Sequence, residues 1–382
     1  MITDSIISAN EAEADGGIYL SPNSLLLSVT GSTFSGNESY KSGGAIKSLG
    51  SVVSVISSTF STNIGAYSSS ALNDNTPEVY SGGAIYIAGL ASTANISNST
   101  FSNNISYGYG GAVSVLSITS TTISNSRFST NISYGNGAAA YLYNAGDASI
   151  SRSSFINNNG NLTVGALYLA TNSGQNISLS AVTIANNSSA DIAGGAYFKG
   201  FDTVTIANST ISGNSSDSAG SGIYLGLNLT SVSILNSTLV NNDSGGGSPN
   251  LYVGTTLTEL NLSNSILSES TVDECSFPGG MPLSFNHGNN WIEDASCTGS
   301  ASGAPDISGL VKLNATAYGH RPKSSALLKG GDPTICAGSI VNGLDQIRTR
   351  RSSSVCSIGS LDDDTNFNVI KTTNGNVVVI PI

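Results

Sequence analysis

Charge is scarce in this sequence. Only 10% of its 382 residues are Asp, Glu, Lys or Arg, against about 25% in ordinary globular proteins. Lys and Arg together number 13 and the net charge is −11, so the basic face that a nucleic-acid binder needs is missing. Histidine is limited to His287 and His320, which lack ligand-like spacing, and no CxxC pair occurs. The sequence therefore offers no metal site and implies no cofactor. No apolar run is long enough to span a membrane. The opening Met1-Ile2-Thr3-Asp4 lacks the basic and apolar regions of an export signal. Cysteine is confined to the last third, at Cys275, Cys297, Cys336 and Cys356. An even number clustered in one segment reads as two disulfides made outside the cytoplasm. Proximity along the chain favours Cys275–Cys297 and Cys336–Cys356, although spacing leaves the connectivity open. An extracellular or cell-surface location follows, with the export signal removed or carried by a longer protein.

What is abundant is glycine, at 44 residues, together with Ser, Thr, Asn and a hydrophobic fraction of 39%. Disorder goes with low hydrophobicity and high charge, so this composition points to order. The order is a repeat. The phrase small–Ser/Thr–apolar–x–x–Asn returns with its apolar residue at Ile7, Phe34, Phe60, Phe101, Phe128, Phe155, Ile184, Ile211, Leu239 and Leu267. The steps are 27, 26, 41, 27, 27, 29, 27, 28 and 28 residues. The long step holds an insertion at 67–79, read as a loop leaving the body.

Short alternating runs such as Val204-Thr205-Ile206 are strand patterns. A further strand follows a glycine pair, as in Gly82-Gly83-Ala84-Ile85-Tyr86-Ile87. The expected fold is all-β: a right-handed parallel β-helix, a solenoid of about ten coils, each with about three short strands. Coils stacked at a strand spacing of about 4.8 Å turn each sequence column into a ladder and make a rod on the order of 45–50 Å long. The Phe/Ile/Leu column fills the interior. An Asn column follows, from Asn10, Asn37 and Asn63 to Asn242, whose stacked amides bond to one another and to turn backbone. Several of these Asn lie in N-x-S/T sequons, among them Asn37, Asn104 and Asn208, which the repeat consensus itself generates.

The third column is the outward position of the strand after the glycines. It reads Tyr19, Lys47, Tyr86, Ser114, Tyr141, Tyr168, Tyr197, Tyr224 and Tyr252. Exposed tyrosines in a row can bind sugar rings or protein partners. Tyrosine also has high β-propensity and ladder neighbours stabilise one another, so a structural stripe, or packing against another copy, is the competing reading.

The pairing of Gly-Gly-Ala-Ile/Val with Phe-x-x-Asn, as at Gly43–Ile46 with Phe34–Asn37, resembles the repeats of chlamydial polymorphic outer membrane proteins. Those are autotransporter adhesins with β-helical passengers, and the resemblance covers residues 1–270. The C-terminal third resembles the bacterial choice-of-anchor Q module. The matching stretches are Gly288-Asn289-Asn290, Asp294-Ala295-Ser296-Cys297, Ser324-Ser325-Ala326-Leu327-Leu328, Gly331-Asp332, Asp345-Gln346-Ile347-Arg348 and Cys356-Ser357-Ile358-Gly359. The family has arginine where Ile347 stands and aspartate where Ser357 stands. This resemblance implies a bacterial, exported, surface-associated or secreted protein. Residues 1–270 carry 5 Lys/Arg and 14 Asp/Glu, and residues 271–382 carry 8 and 10. The chain is thus divided into a helix, 1–270, and a disulfide-bearing C-terminal cap, 271–382.

A hydrolase needs two carboxylates on one face. Here Asp147, Asp191, Asp202, Asp217 and Asp243 are scattered near turns, and Asp362-Asp363-Asp364 reads as a solvated acidic turn. The expectation is no catalytic residue and a non-enzymatic adhesive, ligand-binding or matrix role for a surface rod. Two alternatives stand beside it. The final run at 377–382 and an uncapped first coil would allow head-to-tail filaments, and a polysaccharide lyase or hydrolase is the third reading.

Overall fold

The chain was examined as a computed structural model. It describes residues 1–382 apart from 14, 23, 67–80, 91, 173, 244–247, 256, 295, 298–309, 313–319, 323–329, 343, 347–349, 352–355, 360–366, 372–376 and 382. The insertion at 67–79, the Asp362–Asp364 triplet and the Ser324–Leu328 stretch thus lie outside the described residues.

Alternation in the sequence becomes a parallel β-helix of about ten turns. The first sheet stacks eleven strands, from Ile2–Thr3 and Leu26–Thr30 to Ser284–Gly288. The second stacks eleven, from Ile6–Ser8 to Trp291–Ile292. The fourth stacks ten, from Ile18–Leu20 to Cys275–Ser276. Between the second and the fourth lies a sheet of eight two-residue strands, from Glu11–Ala12 to Ser215–Ser216. Most coils therefore have four strands rather than three. The extra pair follows the ladder asparagine, where main-chain bonds such as Ile105 N to Asn63 O carry the pairing around the corner. Stacking continues past residue 270 to Ile292.

The register matches the sequence columns. Phe60 pairs with both Phe34 and Phe101, so the register holds across the long step. Phe34, Phe60, Phe101, Phe128 and Phe155 stack ring on ring at 4.6–4.9 Å and are fully buried. Ile184, Ile211, Leu239 and Leu267 continue the column. The asparagines form an unbroken hydrogen-bonded file. Asn104, for example, donates its backbone N–H (3.0 Å) and its Nδ2 (3.0 Å) to Asn131 Oδ1, and Nδ2 also reaches Phe60 O at 3.0 Å. A single left-handed residue turns the chain between the first and second sheets. It is asparagine at Asn98, Asn125, Asn208, Asn236 and Asn264, with φ of 46–51°, which asparagine tolerates better than most residues. At the glycine pairs, Gly111 has no room for a side chain, since a Cβ there would lie 2.2 Å from Ala138 O.

Both disulfides join the cysteines nearest in sequence, Cys275–Cys297 and Cys336–Cys356. They serve different places. Cys275 and Cys297 belong to the interior at the last full coil. Cys336–Cys356 staples a segment that lies along the flank of the rod. This segment is the described part of 331–359. Asp332 N and O exchange hydrogen bonds with Asn264 Oδ1 and Nδ2 (2.7 and 3.1 Å). Asn208 Nδ2 donates to Val341 O (3.3 Å), and Gln346 Nε2 reaches Val182 O (3.1 Å) and Thr183 Oγ1 (2.8 Å). The buried guanidinium of Arg351 donates to Gly359 O (2.8 Å) and Asn208 Oδ1 (3.2 Å). The strap thus runs back along four coils. The final run forms the strand Val377–Pro381, paired antiparallel with Phe367–Lys371.

The three named sequons do not survive as acceptors. Asn37, Asn104 and Asn208 are buried, each with Nδ2 donating to a main-chain carbonyl. No helix among the described residues is long and apolar enough to cross a membrane.

Candidate functional site

The tyrosine column forms in the expected register, with Tyr141↔Tyr168↔Tyr197↔Tyr224↔Tyr252 on successive coils. Its exposure is not uniform. Tyr19 is 48% exposed, but Tyr86 (7%) and Tyr141 (5%) are covered. They pack with Leu116 against Leu49, Tyr109 and Tyr143. Where the column carries Ser114, Tyr109 from the preceding turn stacks on Tyr141 at 4.8 Å and fills the gap. Lys47 occupies the place between Tyr19 and Tyr86, with Nζ 2.7 Å from Asp15 Oδ1 and 5.8 Å from the Tyr19 ring centre. From Tyr141 to Tyr252 the ring centres are 4.7–5.4 Å apart, at 16–38° between planes. The facing ring faces between Tyr141 and Tyr252 thus cover one another. Sugar stacking needs an open ring face, so this geometry favours the structural reading of the stripe. Burial, with Tyr224 beside it, pushes the Tyr197 phenol up to about 12, so that hydroxyl stays neutral in ordinary solution.

A second candidate lies on the outer face of the first sheet. A groove of about 340 Å³ crosses its middle coils. Strand alternation places it: in Thr203–Ala207, Val204 and Ile206 point into the core, so Thr203 and Thr205 point out. Its polar wall comes from Thr122, Asp147, Ser149, Asn176, Ser178, Thr203 and Thr205, while Ala148 and Ile177, in register with Val204, turn into the core beneath it. Asp147 Oδ1 accepts from Asn176 N (2.8 Å) and Nδ2 (3.3 Å), which fixes the carboxylate. Asp147 is the only acidic group among the residues that line the groove, and no basic residue lines it. The sequence reading placed Asp147 among scattered acids. The signal that finds the groove is the Ser/Thr/Asn identity of every second residue in these strands.

A second feature also escaped the sequence reading. The asparagine file leaves its period at Asn242, which donates to Asn250 Oδ1, and Asn250 Nδ2 then donates to the buried carboxyl of Glu274. Glu274 also accepts from Ser270 N at 3.1 Å. Burial, reinforced by Asp294 and Glu293, pushes its carboxyl up to about 7, against the pull of these hydrogen bonds. Among the described residues no three His, Cys, Asp or Glu side chains are grouped to hold a metal ion.

These features belong to a chain whose architecture is a parallel β-helix of about ten turns with two disulfides near its C-terminal region. No family model matches the sequence, and neither a curated protein nor a solved structure matches it.

Proposed function

We propose that this chain is a non-enzymatic extracellular scaffold that binds a glycan along the outer face of its first sheet. The groove at Asp147, Asn176, Thr203 and Thr205 is the observation that carries this reading. Ligand pockets are mostly apolar with a few polar groups. This one is walled instead by hydroxyl, amide and carboxylate groups. A ligand that fits it must itself be dense in hydrogen-bonding groups, as sugars are. Two disulfides support a place outside the reducing cytoplasm. The likeness of the repeats to adhesin passengers, and of the C-terminal third to an anchor module of exported bacterial proteins, points the same way. A single carboxylate in the groove supports binding without hydrolysis, which takes two.

The test is a glycan-array screen of the purified protein, repeated with two variants. Combined Asn176→Ala and Thr205→Val should remove the binding seen for the parent. Combined Tyr168→Phe and Tyr197→Phe should leave it intact. Loss in the tyrosine variant with retention in the groove variant would move the site to the stripe and refute this reading.

A further inference from the structure

The charge of the first-sheet face narrows the ligand class, an inference that rests on the glycan reading above. One outward column of that face runs Asp147, Asn176, Thr203, Ser231 and Glu259 on successive coils, flanked in register by Ser120 and Ser284. It therefore carries two carboxylates, with an amide and two hydroxyls between them. At a coil spacing of about 4.8 Å the carboxylates stand about 19 Å apart. This is too far for a catalytic pair, which lies within about 10 Å. Both are held in place by neutral donors: Asp147 by Asn176 N–H, and Glu259 by Ser231 Oγ at 3.0 Å and Asn286 Nδ2 at 3.3 Å. Neither has an ion-pair partner among the described residues. None of the eleven strands of this sheet carries a Lys or Arg.

The face is therefore a lattice of hydrogen-bonding groups with two spaced carboxylates and no Lys or Arg in its strands. Along the rod it repeats once per coil, about the length of one sugar unit in an extended chain. We propose that it takes a linear polysaccharide bearing free amino groups, such as a de-N-acetylated hexosamine polymer. Ammonium groups of the chain would meet Asp147 and Glu259, and ring hydroxyls would meet Asn176, Thr203 and Ser231 between them. Charge-assisted hydrogen bonds at two separated points reinforce one another when one chain spans both. The protein's net charge of −11 steers a polycation in and turns an acidic polysaccharide away.

The experiment is calorimetric titration of the intact protein with three oligosaccharides of equal length: fully deacetylated chitin, fully acetylated chitin and oligogalacturonate. Each is run at low salt and at about 0.5 M salt. The deacetylated chain should bind best, the acetylated chain about tenfold more weakly, and the galacturonate not at all. Salt should erase the preference, since exposed charge pairs are screened. Asp147→Asn combined with Glu259→Gln keeps the shape of the face, and circular dichroism checks its folding. It should bind the deacetylated chain about tenfold more weakly and lose the preference for it over the acetylated chain. Equal binding of acetylated and deacetylated chains by the parent overturns the charge inference and leaves the glycan reading standing. So does an amine preference that survives in the double variant. Failure of all three sugars to bind overturns both.

Discussion

At the scale of single residues, the molecule depends on side chains that are satisfied only because the next coil repeats them. Asn131 accepts two hydrogen bonds from Asn104 and donates to Asn158 Oδ1 and Phe101 O. Asn131→Ala should cost about 3–5 kcal/mol, read as a shift in urea midpoint, because buried donors on Asn104 lose their acceptor. Phe128→Ala should cost a similar amount by opening a cavity between Phe101 and Phe155. Glu274 adds a pH dependence of definite sign. Its folded carboxyl titrates at about 7, above the unfolded value of about 4.3. The folded state therefore holds the proton more tightly. The stabilisation is complete below about pH 4 and is lost as pH rises through about 7, on the order of 3 kcal/mol in all. Urea titrations at pH 5, 6, 7 and 8 should show stability falling, and Glu274→Gln should flatten that slope. An unchanged slope in the variant would place the effect on other groups.

At the scale of elements, the coils were legible in the sequence and the strap was not. Parallel stacking converts a period directly into a contact, so Phe34 over Phe60 and Asn104 over Asn131 could be read from spacing alone. The two-residue strands of the third sheet carry no alternation to detect. The strap is bound by contacts between residues more than 130 positions apart, such as Asn208 with Val341, which no local pattern encodes. It did leave a trace. Ile266 sits where the preceding coils place Thr238, Thr210 and Thr183, and it is buried against Ile358 of the strap. The Asp345-Gln346 and Cys356 to Gly359 motifs also acquire a physical role as the strap's docking residues. The outward direction of the tyrosines was legible, but their burial depends on Tyr109 and Leu116, which lie outside the column. Gln346→Ala should weaken the strap by about 1–2 kcal/mol. Hydrogen exchange should then quicken at Gly338 and Asn342, whose amides bond within the strap, and not at the amides of Phe101 or Phe128.

At the scale of the whole molecule, the rod behaves as a one-dimensional array in which each coil is held by its neighbours. Its two halves are not equivalent. From Val182 onward the coils are tied sideways by the strap, and the strap is itself closed by Cys336–Cys356. The earlier coils, among the described residues, have only the coils above and below them. Held at its ends and pulled, such an object gives way like thread from a spool whose far end is glued. Each coil of 27 residues that peels away releases about 90 Å of chain. The leading coils should therefore come off in regular steps at low force, and the strapped coils should resist to a higher one. A cell-surface tether made this way would absorb tension at its amino-terminal end and keep the rear of the rod wound.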